Sequence, residues 1–233
     1  MMEHAKDKLI VALDMPGYDE ARALVDALGD TVSFYKVGLE LLFAGGLDLA
    51  SELKGDGRRV FLDLKFLDIG NTVERAAASV SALGFDFLTI HGHDSKTLRA
   101  AVKGRGNAKT KLLAVTVLTS LDQSDLAEQG IVSSPRDLVL KRARLAQDAG
   151  FDGVIASGQE AASIRAATGR DFLIVTPGIR LPGSAAGDQM RITTPEDALR
   201  DGADHLVVGR PITAASNPKA AAETFLAAIA RTI

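Results

Sequence analysis

The chain has 233 residues, 46% of them hydrophobic, which suffices for the core of one large α/β unit or of two smaller ones. A formal net charge of -3 and an isoelectric point near 5.8 exclude a general nucleic-acid or membrane-surface binder, so an anionic ligand must be held by a few local cations. The absence of cysteine removes disulfides, thiolate nucleophiles and cysteine-ligated metals, and the apolar run after MMEHAKDK is too short for a signal peptide or membrane span, so a cytoplasmic location is expected.

Along the chain, short apolar runs alternate with longer amphipathic segments, eight times over. The predicted strands are LIVAL (9–13), SFYKV (33–37), RVFLDL (59–64), FDFLTI (85–90), KLLAVTV (111–117), FDGVIA (151–156), DFLIV (171–175) and DHLVV (204–208). Runs of Val, Ile, Leu and Phe with little alternation suit a parallel sheet buried on both faces. Between strands three and four, Val73, Ala76, Ala77, Val80 and Leu83 form one apolar helical stripe. Gly-Phe-Asp at 84–86 and 150–152, and Gly-Ala-Asp at 202–204, mark helix-to-strand junctions, with glycine placed to end each helix. Eight such units predict a (β/α)8 TIM barrel forming a single domain over 1–233. An open doubly wound sheet is the alternative, and it seldom runs to eight evenly spaced units. LPGSAAGDQMR (181–191) reads as a mobile surface loop.

Loops at the C-terminal ends of barrel strands build the active site, so charges there carry the most weight. Asp14 closes the first strand, Lys36 lies within the second, and FLDLKFLDIGNT places Asp63, Lys65 and Asp68 at the end of the third. Side chains two apart on a strand share a face, so Asp63 and Lys65 are expected to point the same way, while Asp68 lies beyond the strand. A lone Asp-x-Lys is as well explained by a surface ion pair. Three successive strands contributing charge at one depth point to function, because buried charges are costly unless paired or useful.

TPGIR (176–180) and GRP (209–211) follow strands seven and eight, whose loops bind phosphate in many barrels. Glycine lets backbone N–H groups approach, Arg180 and Arg210 offer guanidinium forks, and Gln189 can add an amide donor. His91 and His93 in IHGHD could suggest zinc. No further histidine completes a site, since His4 lies in a segment expected to fray and His205 begins a strand, so no metal is expected and both are read as hydrogen-bonded rim residues.

DLKFLDIGNT resembles the signature of orotidine 5'-phosphate decarboxylases. VALD, FYKVG, VTVLTS, TPGIR, GDQ with a following arginine, and VGRP extend the resemblance in order over nearly the whole chain. IHGHD departs from it, since the family more often has His-Ala there. The resemblance implies a carboxy-lyase that makes uridine monophosphate from orotidine 5'-phosphate, the last step of de novo pyrimidine biosynthesis, without a cofactor. It also implies a homodimer with composite active sites. Asp14 and Lys36 would contact the ribose, with Lys36 linked to Asp63, and Lys65 would be the proton donor. Asp68, Ile69 and Thr72 would serve the partner subunit's site. Thr119 would meet the pyrimidine, and Arg180, Gln189, Gly209 and Arg210 would surround the phosphate.

The chemistry agrees with that implication. Loss of carbon dioxide from C6 leaves an in-plane electron pair that the ring delocalises poorly, and no glycine fingerprint of a dinucleotide cofactor is present. A fixed cation at the reacting carbon is the remaining means. Two alternatives stand beside this reading. A magnesium-dependent enzyme resembling 3-keto-gulonate 6-phosphate decarboxylase shares Asp-x-Lys-x-x-Asp but typically has Glu where this chain has Lys36. A non-catalytic barrel binding a phosphorylated ligand leaves Lys36, Asp63 and Lys65 without a purpose.

Overall fold

The apolar runs become eight parallel strands because each is buried on both sides, by the barrel interior and by a surrounding helical layer. The computed structural model describes residues 2–183 and 191–233. The strands are β1 (Leu9–Ala12), β2 (Phe34–Gly38), β3 (Arg59–Phe66), β4 (Phe87–His91), β5 (Lys111–Val115), β6 (Gly153–Ile155), β7 (Leu173–Thr176) and β8 (His205–Val208). They close into a barrel in chain order, β8 pairing with β1. The (β/α)8 architecture expected from the sequence is therefore the one observed, and the open doubly wound sheet is ruled out.

Alternation along each strand sorts side chains between two cores. Ile10, Ala12, Phe34, Phe61, Phe87, Leu113, Val175 and Val207 fill the barrel interior. Val11, Tyr35, Val60, Leu62, Leu88, Leu112, Ile174 and Leu206 join the helices outside. This parity positions the site. Continuing the inward series from Ala12, Phe34, Phe61 and Phe87 toward the C-terminal ends gives Asp14, Lys36, Asp63 and Thr89.

The opposite mouth is closed by rings. The Arg59 guanidinium lies 4.0 Å from the Phe34 ring centroid, and His205 meets Phe34 and Phe87 edge-on at 5.9 and 5.3 Å. Burial pushes the His205 imidazole down to about 3, with Arg59 adding to the effect, so it stays neutral there.

The Gly-x-Asp junctions do more than end helices. Gly84, Gly150 and Gly202 take φ of 71°, 89° and 103°, a region glycine enters without strain. Two residues on, the carboxylates of Asp86, Asp152 and Asp204 accept hydrogen bonds from the backbone N–H of Val60, Leu112 and Ile174 on the preceding strand. Arg59, Arg105 and Arg165 pair with the same three carboxylates. Each junction thus turns the chain and pins two adjacent strands in register.

Two expectations need correction. The segment around His4 is ordered as a helix, Met2–Lys8, because Ala5 is fully buried. The stripe on helix Gly70–Ala82 is narrower than predicted: Val73 and Ala77 are buried, but Leu83 falls past the helix end and is exposed. In addition, β3 keeps its alternation of faces, with Leu62, Leu64 and Phe66 on the outer core, but not a regular register with β4. Its pairs with β4 run Phe61↔Phe87 and Leu62↔Leu88, then jump to Phe66↔Ile90, so β3 advances four residues while β4 advances two. That bulge carries Lys65 to φ 50°, unusual for a residue with a side chain.

Among the described residues no helix is long and apolar enough to cross a membrane.

Candidate active site

A cavity of about 530 Å³ opens at the C-terminal ends of the strands. Inward-facing positions supply its walls: Ala12 and Asp14, Lys36, Phe61, Asp63 and Lys65, Val115 and Val117, Ile155, Pro177, Val207 and Gly209. Apolar groups line the floor and charges stand at the rim, an arrangement that strengthens electrostatics by excluding water from one side.

On the β1–β3 side the charges alternate in a row. Lys36 Nζ lies 2.8 Å from Asp14 Oδ1 and 3.4 Å from Asp63 Oδ2, and Lys65 Nζ lies 2.8 Å from the same Asp63 oxygen. Lys36 and Asp63 are buried, whereas Lys65 is partly open to the cavity. Burial alone would pull the Lys36 ammonium toward neutrality, but Asp63 and Asp14 outweigh it and raise its pKa. Burial would likewise push Asp63 up; Lys36 and Lys65, with hydrogen bonds from Lys65 and Thr89, hold it below the usual carboxylate range. Lys36 and Asp63 therefore both stand charged despite their burial.

The sequence expectation that Asp63 and Lys65 point the same way is met: both line the cavity, while Leu62, Leu64 and Phe66 pack on the outer core. The bulge adds two residues to β3 and so leaves this alternation intact. Thr89, which the sequence reading passed over, faces that bulge: its hydroxyl donates to Asp63 Oδ1 at 2.9 Å and accepts from the Lys65 backbone N–H at 3.0 Å. A polar residue at inward parity in an otherwise apolar strand was the signal available.

Across the cavity, Arg180, Gly209 and Arg210 line the wall after β7 and β8. Gly209 precedes the short helix Arg210–Thr213. Arg180 is buried; burial, with Arg210 nearby, lowers its pKa, as expected where two guanidinium groups share a pocket. Thr119 lines the side between the two groups. Gln189 lies outside the described residues, as does most of the predicted 181–191 loop.

Asp68, Ile69 and Thr72 do not line this cavity. All three are exposed, Ile69 at 73%, and the preceding Leu67 is exposed as well. Asp68 accepts from the Ile69 backbone N–H at 2.6 Å.

His91 and His93 stack on each other with ring centroids 4.8 Å apart and lie outside the cavity lining. Burial pushes His91 down to about 4, with His93, Lys65 and Arg142 adding to the effect, so it stands neutral behind Lys65. Among the described residues no group of three or more His, Asp or Glu could hold a metal ion.

A second feature was missed by sequence reading. Arg191 Nη1 bonds the buried Glu160 at 2.6 Å, and its Nη2 donates to the carbonyls of Val117 and Leu118, both at 3.1 Å. The segment after the 181–190 stretch is thereby tied to the loop that carries Thr119.

Comparison with known proteins gives the family of the chain. The family model described as "Orotidine 5'-phosphate decarboxylase / HUMPS family" matches residues 7–225. The chain belongs to that family. A Caulobacter sp. (strain K31) protein named orotidine 5'-phosphate decarboxylase is 55% identical over 218 residues, covering 94% of this chain and 95% of that one. A Rhodopseudomonas palustris (strain BisA53) protein of the same name is 54% identical over 222 residues, 95% of this chain and 94% of the other. The crystal structure of orotidine 5'-phosphate decarboxylase from Lactobacillus acidophilus superposes with a TM-score of 0.83 at 39% identity, covering 96% of this chain and 99% of that one. Family membership at this identity and coverage makes the chain a carboxy-lyase.

Proposed function

We propose that the enzyme converts orotidine 5'-phosphate to uridine 5'-monophosphate without a cofactor, completing de novo pyrimidine biosynthesis in the cytoplasm. The observation that carries this reading is the row Asp14–Lys36–Asp63–Lys65, with the Lys36 ammonium lodged between two carboxylates. A magnesium-dependent sugar-phosphate decarboxylase needs carboxylates free for the metal. Here a fixed cation already occupies the space between them, and like charges repel.

In the proposed reaction the bond between C6 and the substrate carboxylate breaks, carbon dioxide leaves, and the electron pair stays on C6. The Lys65 ammonium stabilises that charge as it develops and then transfers a proton to C6, forming the new C–H bond. The neutral amine is reprotonated from solvent. Asp63 keeps Lys65 oriented, Asp14 and Lys36 take the ribose hydroxyls, and Thr119 meets the pyrimidine. Arg180, Gln189, Gly209 and Arg210 hold the phosphate, whose binding energy is remote from the reacting carbon and available to assemble the site. Asp68, Ile69 and Thr72 act in the partner subunit's site. Their exposure, with Leu67 and Ile69 presenting apolar side chains to the surface, supports a twofold dimer with two composite sites.

Purified protein, dialysed extensively against EDTA, is expected to retain full turnover of orotidine 5'-phosphate in an ultraviolet assay. Activity lost on dialysis and restored by magnesium would favour the sugar-phosphate reading. No turnover at all would favour a barrel that only binds.

The phosphate assignment has its own test. Arg210→Ala is expected to lower kcat/KM for orotidine 5'-phosphate while changing it little for orotidine, a difference on the order of 2–5 kcal/mol, as for removing one partner of a charged pair buried in the complex. Equal losses on both substrates would show that Arg210 acts elsewhere.

A further inference from the structure

Thr89 stands opposite the β3 bulge, fully buried, where continuing the inward series from Phe87 would ordinarily call for an apolar side chain. A hydroxyl buried there is costly unless both its hydrogen and its oxygen are used, and both are. Its one hydrogen goes to Asp63 Oδ1 at 2.9 Å, and its oxygen takes the Lys65 backbone N–H at 3.0 Å.

The two bonds fix different things. Asp63 Oδ2 serves both lysines, at 2.8 Å from Lys65 Nζ and 3.4 Å from Lys36 Nζ, so the orientation of the carboxylate plane decides whether that shared oxygen faces them. The bond from Thr89 to the other oxygen sets that plane. At Lys65 the backbone has left the β4 ladder and adopted φ 50°. Its N–H would be orphaned inside the barrel wall, and Thr89 gives it an acceptor that keeps the strained turn in place.

We infer that Thr89 is a positioning residue for the decarboxylation, one hydroxyl that holds both the Asp63 carboxylate and the backbone from which Lys65 reaches the substrate. The inference rests on the function proposed above. Thr89 does not line the cavity, and the phosphate wall lies across it on β7 and β8. Its loss therefore disturbs the reacting geometry without touching the substrate.

The test compares steady-state kinetics of Thr89→Val, Thr89→Ser and wild type, with melting temperatures recorded alongside. Small displacements of catalytic groups cost heavily, so Thr89→Val is expected to lower kcat about 10- to 100-fold with KM within about threefold of wild type. Thr89→Ser keeps the hydroxyl and is expected to return kcat to within about threefold of wild type. Should the valine protein fail to fold, Thr89→Ala takes its place. Wild-type kcat in the hydroxyl-free variant would overturn the inference. So would a serine variant as slow as the valine one, or a loss that falls on KM alone, since these describe packing rather than positioning. Wild-type protein that does not decarboxylate orotidine 5'-phosphate would overturn the functional reading itself and the inference with it, and that control is read before any variant.

Discussion

Lys65→Ala is expected to lower kcat by more than about 10⁴-fold, beyond the ~10²–10⁴ of general acid catalysis alone, because the side chain is asked to do two things. In the proposed reaction its charge lowers the barrier to breaking the carbon–carbon bond, and its proton completes the product. Fold and stability should survive. The side chain is partly solvent-exposed, and its loss leaves Asp63 with Lys36 at 3.4 Å and Thr89 at 2.9 Å, so no buried carboxylate is stranded. Circular dichroism and thermal melting would check this beside the assay. A variant within tenfold of wild type would remove Lys65 from the mechanism.

Much of this site was legible in the sequence because period-two alternation is a rigid rule. Once Phe34 and Phe61 are known to face inward, Lys36 and Asp63 must as well, and charges at those positions in a packed barrel ask for partners. The pairing of Asp63 with Lys65 follows from the same rule, which holds there, since Leu62, Leu64 and Phe66 keep to the outer core; the bulge itself is what the rule does not foresee. The register jump between Leu62 and Phe66 depends on which β4 residue stands opposite, a tertiary fact that β3 alone does not encode.

Other features were hidden for related reasons. Glu160 and Arg191 are 31 residues apart and each reads as an ordinary surface charge, but burial of the pair raises the Glu160 pKa even though the arginine opposes that shift. Long-range ion pairs leave no local pattern. The N-terminal helix was missed because seven residues are too few for a convincing stripe, and its order comes from burying Ala5. The Gly-x-Asp junctions were read correctly as helix ends. Their aspartates' reach to the preceding strand required knowing which strands are neighbours.

Composite sites make the sharpest quantitative expectation. Asp68 is exposed in its own chain and absent from its own cavity wall, while Lys65 lines that wall. If each site uses Lys65 of one subunit and Asp68 of the other, then Lys65→Ala and Asp68→Ala homodimers should each be nearly inactive. Refolding the two variants together forms mixed dimers by the same twofold contact. In a mixed dimer one site collects both damaged residues, and the other receives an intact Lys65 from the Asp68→Ala chain and an intact Asp68 from the Lys65→Ala chain. Random pairing makes about half the dimers mixed, and half of their sites are whole, so activity should recover to about a quarter of the wild-type value. Differential tagging counts the mixed dimers independently of activity. Mixed dimers without recovery would place Asp68 in its own chain's site or outside any site. Recovery that scales with their number would show that the charged row of one subunit is completed by the carboxylate of the other.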